Sequence, residues 1–136
     1  MSYGVSVALQ SAIYDFLQSD TLLSSLLGGA VYDALPAGDL PATYLVLGAE
    51  TALDRSDGSG AGAEHRLTIS VVSQAAGFAE AKAVAAAVCD ALQGADLTLS
   101  RGRLVFLNFQ RAVAKRVGSD NQRRIDLRFH ARVEDD

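Results

Sequence analysis

The chain has 136 residues, 49% of them hydrophobic, and a formal net charge of −4. That length buries a core without disulfides or a metal, that apolar content excludes a disordered chain, and the acidity argues against a dedicated DNA-binding protein. The single cysteine, Cys89, excludes an internal disulfide, and no apolar run approaches the roughly 20 residues that span a bilayer.

Residues 1–136 therefore read as one domain. Met1-Ser2-Tyr3-Gly4 has no basic segment ahead of an apolar run, so no secretory signal is expected. Val5, Leu9, Ala12, Ile13, Phe16 and Leu17 recur at helical spacing and predict a helix over 4–18. Ser19-Asp20-Thr21 can cap a short second helix holding Leu22, Leu23, Leu26 and Leu27, which Gly28-Gly29 ends. Val31-Tyr32 reads as a short strand, Pro36 to Pro41 as a turn, and Thr43 to Glu50 as a buried strand. Thr51 to Ala63 is rich in Gly, Ser and Asp and reads as a long mobile loop. Residues 64–73 form the next strand, paired antiparallel across that loop.

Phe78, Ala81, Val84, Ala85, Val88 and Leu92 predict an Ala-rich helix over 77–93, with Gly94 at its end. Leu97–Leu99 and Arg103–Val105, around Ser100-Arg101-Gly102, give a small hairpin signal. Residues 103–117 and 123–134 are two long strands joined by a turn near Gly118–Asn121. In the second, Leu127, Phe129, Ala131 and Val133 alternate with Asp126, Arg128, His130 and Arg132, so one face is buried and the other solvated or docked. The expected fold is α+β, an antiparallel sheet of about four main strands packed on two helices, with long hairpin loops.

The residues that usually carry chemistry are sparse. The glycines of 57–62 open a strand rather than a helix and lack the lysine of a phosphate loop. His65 and His130 are the only histidines, too few with one cysteine for a zinc set, and read as surface or interface residues. Cys89 reads as a small buried hydrophobe. The carboxylates Asp15, Asp33, Asp39, Glu50 and Asp54 are scattered over different elements, and Glu134-Asp135-Asp136 reads as a frayed, solvated terminus. No catalytic residue, cofactor or metal is assigned, and the chain is not expected to be an enzyme.

Charge is segregated along the chain. Residues 1–63 carry seven acids and one base, whereas Arg101 to Arg132 holds nine bases against Asp120 and Asp126. Arg111, Lys115, Arg116, Arg123, Arg124, Arg128 and Arg132, together with Arg55 and Asp57 in the loop, are the candidate interface residues. Such a surface suits a solvated face, docking on a neighbour or contact with nucleic-acid phosphates. The lack of interleaved aromatics on the polar face weighs against single-strand stacking.

Four pieces carry a resemblance: Val31–Pro36, Pro41–Gly48, Glu64–Val71 and the helix Ala79–Val88. In this order and spacing they are similar to the tail-completion, or tail-terminator, family of long-tailed phages and gene transfer agents. The chain departs from the family's Pro-Tyr pair, because Ala42-Thr43 separates Pro41 from Tyr44. The resemblance implies a small α+β subunit that forms a ring, expected to be a hexamer. The ring would cap the head-proximal end of the tail tube and join it to the neck or stopper proteins. Its partners would be further copies of itself, the tail-tube protein and the neck protein. DNA would pass through the lumen without specific binding, and no membrane would be involved. The protein would be cytoplasmic during assembly and then part of the particle. A nucleic-acid-binding module using the Arg-rich hairpin and a small enzyme are the alternative readings.

Overall fold

A computed structural model describes residues 3–56, 61–118 and 122–135. Three helices, α1 (Ser6–Ser19), α2 (Thr21–Leu27) and α3 (Ala79–Leu92), accompany five strands. The strands are β1 (Val31–Tyr32), β2 (Thr43–Asp54), β3 (Ala61–Ser73), β4 (Arg103–Val117) and β5 (Gln122–Asp135), in the order β1-β2-β3-β5-β4. All pairings are antiparallel except β1 with β2, which is parallel. The α+β expectation is borne out: the short α2 and β1, both read along the chain, join the two longer helices and the four main strands.

The helices form where the apolar period puts them. The Asp20 carboxylate accepts from the Leu23 backbone N–H at 3.0 Å and opens α2, and Gly28, at φ 61°, closes it. Leu9, Ile13 and Leu17 of α1, Leu23 of α2, and Val84 and Val88 of α3 turn inward. They meet Leu45 of β2, Leu67, Ile69 and Val71 of β3, and Ile125, Leu127 and Phe129 of β5 in one core. All three helices contribute to one side of the sheet's core, so the other side of β3 and β5 is left open. Its register rows are Thr68 with Arg128 and Ser70 with Asp126; Val72, opposite Arg124 on the same side, is buried in the core.

Three expectations are corrected. The loop after Glu50 is shorter than 51–63, because Thr51, Ala52, Leu53 and Asp54 continue β2 and pair with Arg66, His65, Glu64 and Ala63. The backbone N–H of Arg55 then donates to the Gly62 carbonyl at 2.8 Å, extending the pairing past Asp54. Residues 57–60 lie outside the described residues. Leu97–Leu99 is not a strand, so no hairpin forms around Arg101. The terminus is tied down: Arg101 binds Asp135 at 2.7 Å, Arg103 binds Glu134, and both acids lie in β5. Asp136 lies outside the described residues.

His65 is also corrected, from a surface residue to a fully buried one. The cause is a bulge in β2. Leu47 pairs with Ile69, but Glu50 pairs with Leu67, so one extra residue around Gly48-Ala49 turns Glu50 to the helix side. There its carboxylate meets His65 Nδ1 at 2.8 Å and accepts from Tyr3 at 2.8 Å and Ser6 at 3.0 Å, tying the start of α1 to the sheet. Burial pushes the Glu50 carboxyl up, but the hydrogen bonds it shares with His65, Tyr3 and Ser6 and its electrostatic interaction with His65 outweigh it. The net effect holds Glu50 below its ordinary value.

Two predictions follow from these contacts. Because Glu50 titrates lower folded than unfolded, its stabilisation is complete above the unfolded value of about 4.3 and is lost as pH falls through the folded one. Glu50→Gln is expected to cost about 1–3 kcal/mol at neutral pH. It should also flatten the acid side of a urea-melt stability profile. Gly102 sits at φ +69°, where an added Cβ would overlap the Glu134 carbonyl oxygen and stand 2.9 Å from Val5. Gly102→Ala should lower stability by at least about 1–3 kcal/mol in the same melts.

Candidate functional site

The nine candidate interface residues divide by register rather than forming one patch. β4 and β5 pair Arg111 with Arg128, Lys115 with Arg124 and Arg116 with Arg123. Three like-charge pairs thus stand directly opposite one another on one hairpin, an arrangement that destabilises an isolated sheet. A bulge at Gln110 sets their faces. Phe109 opposes Phe129 on the helix side, and the extra residue then carries Arg111 to the open side beside Arg128.

Arg111, Lys115, Arg124 and Arg128 converge on a hollow of about 350 Å³ on the open face, which Gly48, Ala49, Thr68, Ser70, Val113 and Asp126 also line. Asp126 organises it. Its carboxylate accepts from Ser70 Oγ at 2.6 Å and from Arg124 Nε at 2.9 Å, and Lys115 Nζ stands 3.5 Å away. Arg124 also donates to Ser70 Oγ at 3.1 Å. Burial raises the Asp126 carboxyl, but the bonds from Ser70 and Arg124 and the charges of Arg124 and Lys115 outweigh it and leave it lowered. Asp126 is therefore a fixed anion that neutralises one of four cations. Arg111 and Arg128 are exposed and, among the described residues, form no hydrogen bond or ion pair.

The other candidates lie elsewhere. Arg123 occupies the helix-side register with Arg116, and its guanidinium lies 5.6 Å from the Phe78 ring centroid beside α3. Arg132 donates to the Arg55 carbonyl at 2.9 Å, at the end of the β2–β3 hairpin. Arg55 stands 3.5 Å from Glu64, which also meets Arg66 at 3.0 Å and His130 at 3.3 Å. These two arginines belong to an internal charge cluster rather than to the hollow. Asp57 lies outside the described residues.

Sequence reasoning passed over Ser70 and Asp126, whose pairing depends on a register that no local pattern states. It also passed over a second hollow, of about 370 Å³, lined by Gln10, Ser11, Tyr14, Asp15 and Asp33. This one lies on α1 and just beyond β1, at the other edge of the sheet. Gln10 bonds Asp33, and Asp15 and Asp33 are both exposed. Burial and the neighbouring Asp90 push the Cys89 thiol up, away from the thiolate form that attacks substrates. Among the described residues, no group of three or more His, Cys, Asp and Glu side chains is placed to hold a metal ion.

Comparison with known proteins agrees with the resemblance read from residues 31–93. A family model for Tail completion protein gp17 matches residues 11–134. Among solved structures, the chain is similar to one from the virion of a native gene transfer agent particle, with 60% sequence identity and a TM-score of 0.93. That match covers 97% of this chain and 98% of the other. No curated protein matches. The chain belongs to the tail completion protein gp17 family and is a structural protein of phage-type tails.

Proposed function

We propose that the chain is a tail-terminator subunit. Copies form a ring, expected to be a hexamer, that caps the head-proximal end of the tail tube and joins it to the neck or stopper proteins of a phage-like particle. The observation that carries this reading is the 60% identity, over nearly the whole of both chains, to a protein of a gene transfer agent virion. The reaction is binding alone. One ring face matches the last ring of the tube, the other matches the neck, and DNA passes through the lumen without sequence readout. The subunit is made in the cytoplasm and ends in the particle.

The physical properties suit that role. A closed ring of identical subunits needs two different patches on each copy. The sheet carries a basic hollow toward its β4 side and exposed carboxylates toward its β1 side. β4 is a 15-residue edge strand exposed at every position from Asn108 to Arg116, with Phe109 and Val113 among the exposed apolar residues. A long edge of this kind is a liability in a monomer and a resource in an assembly.

Particles assembled without this chain should contain unjoined heads and tail tubes of uncontrolled length, counted by electron microscopy. Adding the purified chain to isolated tail tubes should place density at one end only. Tubes of normal length joined to heads in its absence would contradict the assignment.

A further inference from the structure

We propose that the basic hollow around Arg111 and Arg128 is the docking site for the acidic α1–β1 edge of a second copy, with Asp15 and Asp33 as the entering carboxylates. This rests on the ring reading above and specifies which two patches close the ring.

One copy is left with surplus charge. Of the three like-charge pairs across β4 and β5, two are relieved internally. Asp126 sits beside Lys115 and Arg124, and the Phe78 ring lies under Arg123. The pair Arg111–Arg128 has no such relief among the described residues. The hollow sums to four cations less one carboxylate, a surplus of three. A facing carboxylate would turn this repulsion into charge-assisted hydrogen bonds, which arginine makes in bidentate form.

The occupant must be acidic, must reach into a shallow hollow and must tolerate an apolar border. Ala49 and Val113 line the hollow beside the cations, a mixture that fits a protein edge better than a phosphate backbone. The chain's own acids toward the C-terminus are committed: Glu134 and Asp135 pair with Arg103 and Arg101, and Glu64 with Arg55, Arg66 and His130. Asp15 and Asp33 are not so engaged with cations, and no cation lines their hollow. Four strand spacings separate β1 from β4, about 19 Å, so one copy cannot satisfy both patches itself. Successive copies can do so head to tail, each offering its α1–β1 edge to the open face of the next. That repeat is the heterologous contact a ring requires.

A charge-swap experiment tests it. One full-length variant carries Arg111→Glu and Arg128→Glu, and the other carries Asp15→Arg and Asp33→Arg. Each is compared with the unaltered chain by sedimentation at millimolar concentration and by loading onto purified tail tubes. Circular dichroism establishes folding, and an Arg111→Lys, Arg128→Lys control retains the charge. Each reversed variant alone should associate about tenfold or more weakly, because its facing patches then repel. An equimolar mixture should regain the assembly, with the two variants alternating. Unchanged association of either variant, or failure of the mixture to recover, would overturn the docking assignment while leaving the ring standing. An unaltered chain that neither self-associates nor loads on tubes would overturn the ring as well. Binding of duplex DNA that Arg111→Glu, Arg128→Glu abolishes, with self-association untouched, would assign the hollow to phosphates and also overturn the proposal.

Discussion

Single-residue bulges in β2 and β4 decide which face of the sheet the charged residues occupy, and much else follows from them. Side chains alternate along a strand, so one extra residue exchanges the two faces beyond it. In β2 the extra residue near Gly48-Ala49 sends Glu50 inward to His65, where it fastens the start of α1. In β4 the extra residue at Gln110 sends Arg111 and Lys115 outward, beside Arg128 and Arg124. An earlier extra residue near Val105 turns Leu107 and Phe109 to the helix side, and regular alternation from Phe109 onward would have carried those two cations there as well. The anchored helix and the basic hollow therefore have the same kind of origin.

The division of labour between the faces is equally physical. β5 is buried on alternate residues from Ile125 to Val133 and carries charge on the intervening ones. Its helix side is closed by Ala-rich α3, whose small side chains allow close approach to β3 and β5. Its open side concentrates cations that one molecule only partly neutralises. Like charges directly opposite one another cost stability, so a fold that leaves the Arg111–Arg128 pair unrelieved bears that cost in isolation. A subunit that functions in an assembly can recover it at the interface.

Much of the fold was legible in the sequence because it is written in local periods. The three helices, the short β1 and the four long strands coincide with runs of apolar residues spaced by three and four or by two. The failures share a cause in long-range register. Thr51 to Asp54 looked like loop because the Gly/Ser/Asp composition begins at Asp54, yet their partners are fixed by β3. His65 looked exposed because its anion lies fifteen residues away and turns inward only through a bulge. Glu134 and Asp135 looked frayed because their arginines come from the segment before and at the start of β4. The basic residues themselves were legible as a set. Their separation into a hollow, a helix-side pair and a cluster at the β2–β3 hairpin was not, since that depends on the offset between β4 and β5.

The central claim is that copies of this chain join head to tail, basic face to acidic edge. An image of the assembled particle, at a resolution that shows side chains at the neck, tests it most directly. Arg111 and Arg128 of each copy are expected within salt-bridge distance of Asp15 or Asp33 of the next. A ring whose basic hollows stand open, or face DNA or the tube with no neighbouring carboxylate, would contradict it.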